Sequence, residues 1–477
     1  MAAPTLLLLS ALLAPPADTA AAEAAALKKS CDHGTAADCL ELARRHARGE
    51  GAPRDLEKAA GFFKKGCDLN LAEACLELAA LYRSGQGTKK DVARAVLLYE
   101  KACTGGVAAG CAELGAMYGA GNEIEKHLRR AAEYDGKACD AGIAASCAAL
   151  ADMHAEGVPM PRDVSRAAAL YGKACDGGDV RSCGRLAGMM YDGVGVAKDP
   201  ARAIELARRA CEAGQQSACT ILAVALQKGE GTAPDPARAL QLLTAACDAD
   251  EARACYALGA LHRDGTGVAR DPARAAELFR KGCNGGTAMA CYELGLLYAR
   301  GRGMGADLAQ ATSLYREACT KGDPRGCVAL GALFQSGGGV MKDLNRAAAL
   351  FREACDAGSI DACSRLALML ESGEIIGRDL KTARELYKRT CEAGVSMNCY
   401  RLALHFQSGE LRNPATALAY FTRACEGGVA AACYEAGLQW ETGLATARDP
   451  IKALGFYEKA CAAQHASACA KVRRLKP

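Results

Sequence analysis

The stretch Cys255 to Cys283 reads CYALGALHRDGTGVARDPARAAELFRKGC, and its apolar residues recur at helical rather than alternating spacing. A first helix, A, is expected from near Cys255 to about Arg263, where Gly265 and Gly267 supply the unhindered backbone of a helix end and tight turn. Asp271 then caps a second helix, B, with Pro272 at the first helical position, where a missing N–H costs nothing. Helix B runs to Cys283, and Asn284-Gly285-Gly286 breaks it before the next helix A. The unit is a helical hairpin.

The same unit recurs along the chain, and the cysteines set its period. All 26 fall into thirteen Cys-x7-Cys pairs. The pairs are Cys31 with Cys39, Cys67 with Cys75, Cys103 with Cys111, Cys139 with Cys147, Cys175 with Cys183, Cys211 with Cys219, and Cys247 with Cys255. They continue as Cys283 with Cys291, Cys319 with Cys327, Cys355 with Cys363, Cys391 with Cys399, Cys425 with Cys433, and Cys461 with Cys469. Eleven of the twelve intervals between pairs are 36 residues and one is 34, the period of a repeat array. Asp-Pro marks the start of helix B again at Asp199-Pro200, Asp235-Pro236 and Asp449-Pro450, with Asn413-Pro414 in the shortened repeat. A leucine stands three residues after the helix-A cysteine in eleven of twelve units, Ala436 being the exception, and the next position is always Gly or Ala. Helix B carries Ala eight residues before its closing cysteine in all twelve, from Ala59 to Ala453, so neighbouring backbones can approach closely there.

Each cysteine pair spans the connection from helix B to the next helix A. A local disulfide fits that spacing and would contribute roughly 2 to 3 kcal/mol by the chain-entropy estimate for so small a loop. Free thiols filling a tight junction are the competing reading. Zinc is disfavoured, because paired zinc ligands stand two to four residues apart and histidines do not recur with the pairs. No metal or cofactor is expected.

Counting from Cys39 gives twelve A–B hairpins in one repeat domain over residues 23–477, with capping half-repeats at 23–38 and 469–477. The fold class is all-α, an α/α solenoid of tetratricopeptide-like hairpins. With 59 basic against 55 acidic residues and no basic block interleaved with aromatics, nucleic acid is not an expected partner. Residues 1–22 read as a signal peptide: an apolar run from Leu6 to Ala14, then Pro15-Pro16, then small residues around Thr19-Ala20-Ala21-Ala22. The run has no Lys or Arg before it, a departure from the usual pattern, and is too short to span a bilayer. Export to the periplasm or medium, without membrane insertion and as a monomer, is the expectation; a strictly even cysteine count agrees with an oxidising destination.

The unit just read, with Leu-Gly or Leu-Ala in helix A, a Gly-x-Gly turn and an Asp-capped helix B bearing Ala and an aromatic, resembles the Sel-one-like repeat. Its Cys-x7-Cys junctions are similar to those of the family's cysteine-rich secreted branch. The resemblance implies a curved groove used for protein interaction. It also implies an enzymatic alternative, since some members of that branch are classed as penicillin-binding proteins or β-lactamases.

The residues themselves announce no chemistry. Ser-x-x-Lys, Lys-Thr-Gly, Gly-x-Ser-x-Gly and a paired-histidine zinc motif are all missing from the sequence. His154 and His262 stand seven residues after a helix-A cysteine, a slot filled in other repeats by rings such as Tyr82, Tyr118, Tyr298, Phe334, Phe406 and Trp440, and read as packing rings. His127 replaces Asp at a helix-B cap. One residue after the helix-A cysteine, Tyr256, Tyr292, Tyr400 and Tyr434 are the candidate partner contacts; they could equally cover the adjacent disulfide or helix. Three functions follow: an exported scaffold presenting a rigid concave surface to a protein, a peptide or a cell-wall component such as a peptidoglycan fragment; a secreted penicillin-binding protein or β-lactamase acting on a β-lactam amide through unidentified catalytic residues; and an intracellular signalling or assembly scaffold.

Overall fold

The computed structural model describes residues 17–51, 53–373, 378–408 and 412–475. Residues 1–16 of the expected leader fall outside them, and its last six residues begin the first helix. Among the described residues there are 26 helices and no strand, and nearly all the helices are 13 residues long. A lone helix, Ala17–Asp32, precedes twelve A–B hairpins, and Ala466–Leu475 follows the last. The chain divides at Leu242/Leu243, inside the helix Pro236–Asp248, into two compact units, each a run of the same hairpins. None of the described helices is long and apolar enough to cross a membrane.

The punctuation read from the sequence is made of identifiable bonds. Asp271 accepts a hydrogen bond at 2.9 Å from the backbone N–H of Arg274, and Asn413 does the same for Thr416 at 3.0 Å. His127 substitutes a ring nitrogen, 3.3 Å from the Arg130 N–H. The two turn glycines do different things. Gly301 ends helix A in the left-handed region, φ +62°, whereas a Cβ on Gly303 would sit 2.5 Å from the carbonyl carbon of Pro272, so the second glycine admits the first turn of the preceding helix B.

Helix A begins earlier than expected. The helix after Cys247 is Ala252–Asp264, three residues ahead of Cys255, and its neighbour is Ala288–Arg300. The B-to-A connection is correspondingly only Gly285, Gly286 and Thr287, with Gly286 at φ +94°. This tightness brings the cysteines together: all thirteen junctions are closed by a disulfide with Cα atoms 4.6 to 4.8 Å apart. Two places where a glutamate approaches such a pair, Glu317 by Cys283 and Cys291 and Glu353 by Cys319 and Cys327, have their sulfurs bonded to each other and offer no thiolate.

At several junctions a cation from the next repeat caps the end of helix B. Lys101 donates to the carbonyl of Cys67 at 2.7 Å, Lys281 to that of Cys247 at 2.6 Å and Arg389 to that of Cys355 at 3.0 Å, which satisfies a terminal carbonyl where the helix dipole is negative. Where that position is Glu317, Lys321 reaches the Cys283 carbonyl instead, at 2.8 Å. The recurring alanine of helix B is fully buried in every hairpin, Ala275 included.

Candidate functional site

Four residues before its closing cysteine, helix B carries a ring that forms the core of the hairpin, as with Phe279, Tyr315, Phe351, Tyr387, Phe421 and Tyr457, none more than 3% exposed. The Gly or Ala of helix A makes room for it: a Cβ on Gly259 would lie 2.8 Å from Phe279, and one on Gly437 2.6 Å from Tyr457. Three repeats break the rule: Ala207 and Leu243 keep the position apolar and fully buried, and one makes it polar. Asp135 occupies the ring position, 3% exposed, and burial pushes its carboxyl up to about 6, with the Ser146 hydroxyl pulling the other way.

The four tyrosines singled out from the sequence rest on these rings. Their centroids lie 5.9 Å (Tyr256 to Phe279), 5.8 Å (Tyr292 to Tyr315), 5.9 Å (Tyr400 to Phe421) and 5.7 Å (Tyr434 to Tyr457) apart. Each is half-buried, with one part in the core and one at the surface. Neighbours cover two of them further. The Arg325 guanidinium lies 4.6 Å over Tyr292, and the His465 ring stacks 4.7 Å from Tyr434. Four residues on, and so on the same helix face, stand Ala260, Leu296, Leu404 and Leu438, also half-buried. In this register the row carries two pairs of tyrosines in the second unit, with Val328 and Ser364 between them, where the first has Leu40, Leu76, Ala112, Ala148, Gly184 and Thr220.

Beside this row runs a ladder of polar pairs linking consecutive A helices. Arg83 meets Glu113 at 2.6 Å, Arg263 meets Glu293 at 2.6 Å, Arg401 meets Glu371 at 3.4 Å and Lys471 meets Glu441 at 2.7 Å. The acids also receive core hydroxyls: Tyr387 donates to Glu371 at 2.6 Å and Tyr457 to Glu441 at 2.5 Å. The ladder was missed in the sequence, although its signature is there: opposite charges thirty residues apart. Glu293 is buried and held from both sides, by Arg263 and by Arg325 at 3.5 Å.

The histidines stand where packing puts them. His154 is buried, and burial together with the Arg166 charge lowers its basicity. His405 stacks on Tyr387 with Glu371 at 3.2 Å; burial lowers its basicity too, against the pull of that carboxylate.

This arrangement, hairpins stapled at every junction with a repeated side-chain row on the A helices, defines an α/α-solenoid repeat scaffold. The Sel1 repeat model matches ten contiguous 36-residue stretches from 36–71 to 360–395, and then 399–429 and 430–465. The chain belongs to the Sel1 repeat family. Among solved structures it is similar to a protective antigen present in uropathogenic Escherichia coli strains displaying an SLR fold, at 25% identity over 95% of this chain and 97% of that one, TM-score 0.51. It is also similar to a Sel1 repeat protein from Oxalobacter formigenes, at 23% identity over 55% of this chain and 99% of that one, TM-score 0.45. Cysteine rich protein B of Helicobacter pylori matches at 30% identity over 27% of this chain and 92% of that one, TM-score 0.24. Comparison with curated protein sequences gives no match.

Proposed function

We propose that this chain is an exported scaffold that holds a protein or peptide partner against the helix-A face of its second unit. The observation that carries this reading is the two pairs of tyrosines, Tyr256 with Tyr292 and Tyr400 with Tyr434, whose rings are anchored on buried core rings and still half open to solvent. Anchored tyrosines lose little side-chain freedom on docking, the property that enriches them at contact hot spots. Export is supported by thirteen disulfides, which persist in an oxidising compartment, and by the apolar run at Leu6 to Ala14. Periplasm or medium is the inferred destination.

The test is capture of a partner by purified oxidised protein, compared with the Tyr256→Ala and Tyr292→Ala variants. Each change should weaken binding by roughly 1 to 2 kcal/mol while the helical spectrum survives. Unchanged capture by both variants would sink the reading. So would saturable hydrolysis of a chromogenic β-lactam that one side-chain change abolishes, a result that would favour the β-lactamase alternative.

A further inference from the structure

Four arginines of the second unit line one small cavity. Arg263 and Arg300 come from the ends of the helices Ala252–Asp264 and Ala288–Arg300, and Arg270 and Arg302 from the turns that follow them. Arg263 is satisfied by Asp264 at 2.7 Å and Glu293 at 2.6 Å. The other three are exposed and form no ion pair among the described residues; Arg270 donates to the backbone carbonyl of Arg263, at 3.2 Å, and its charge also acts on Asp264. Glu293 is the one acid on the lining, and it is already held by two guanidinium groups. The site therefore carries excess positive charge that the fold leaves unmatched.

Size and position narrow what could match it. The cavity is small, about 40 Å³, a size suited to a carboxylate group rather than to a whole sugar or base. Its wall includes Leu296, four residues after Tyr292 on the same helix face, so it opens beside the docking face rather than on another side of the unit. Paired guanidinium groups bind a carboxylate by short, charge-assisted hydrogen bonds.

We infer that this cavity is an anchor for an aspartate or glutamate side chain of an extended acidic peptide, whose apolar residues lie along Tyr256, Tyr292 and Leu296. This rests on the docking reading above and names the chemistry of its partner. The probe is a short fluorescein-labelled peptide alternating Glu with Leu and Tyr, measured by anisotropy beside its Gln counterpart. The Glu peptide should bind roughly tenfold tighter or better, with the advantage shrinking as salt is added. Arg300→Gln with Arg302→Gln should erase that advantage at an unchanged thermal melt, whereas Arg316→Gln, an exposed arginine outside the cavity, should not. Equal binding of the Glu and Gln peptides, still weakened by Tyr256→Ala, would overturn the anchor and leave the docking face standing. Binding of neither peptide would overturn both. A single-stranded oligonucleotide that bound as tightly and failed with the same variants would overturn the assignment to a peptide.

Discussion

Asp135 shows what one carboxyl does in a repeated apolar core. It replaces a ring with a carboxyl that has no charged partner and is held near 6 by burial, against 3.8 in the unfolded chain. The folded state therefore binds its proton more tightly than the unfolded one. Stability is undiminished below about pH 4, falls as the pH rises toward 6, and above that is lower by about 3 kcal/mol. Asp135→Asn should accordingly slow amide exchange in the helix Leu128–Asp140 near neutral pH and change nothing near pH 4; equal exchange at both would show that the carboxyl finds solvent. The invariant alanines make a second residue-scale prediction. Ala275→Leu should lower the melting temperature through overpacking worth about 1 to 3 kcal/mol, because Ala275 has no exposed surface to give.

Between hairpins, each junction is held by a disulfide. Replacing Cys283 and Cys291 together by Ser should cost roughly 2 to 3 kcal/mol, read as faster exchange at the end of Pro272–Asn284 and the start of Ala288–Arg300. Lys281→Met should cost about 1 kcal/mol by freeing the Cys247 carbonyl, with a salt-dependent part from the lost pair with Asp250. The hairpin itself was readable in the sequence, since caps, turn glycines and the helix-B boundaries are decided by neighbours a few residues away. Helix A was placed three residues late, because no side chain caps Ala252 or Ala288 and the cysteine is the first conspicuous residue in the helix. The ladder, the lysine caps and the seating of Gly303 on Pro272 join residues about thirty positions apart. Spacing within one helix cannot disclose such contacts. Of the site, the sequence offered the four tyrosines but not the leucines beside them, the rings beneath them or the arginine cavity.

At the scale of the whole chain, the structure joins each cysteine to the one eight residues on, so mass spectrometry of the unreduced protein cut between repeats should show thirteen sequential bridges and no alkylatable thiol. Bridges that skip a repeat would contradict the fold, and many free thiols would contradict the inferred compartment. The local reach of those bridges also governs how the protein answers to force. A long-range crosslink would shield the chain it encloses from tension, whereas each bridge here withholds only the eight-residue step between its cysteines from a 36-residue repeat. Pulled from its ends, a hairpin that gives way can therefore pay out the other 28 residues, about 100 Å of contour, and about 125 Å once reduced. Single-molecule extension with and without reductant should resolve the two step lengths, and the oxidised molecule should behave as an extensible tether whose repeats yield in equal, bounded increments.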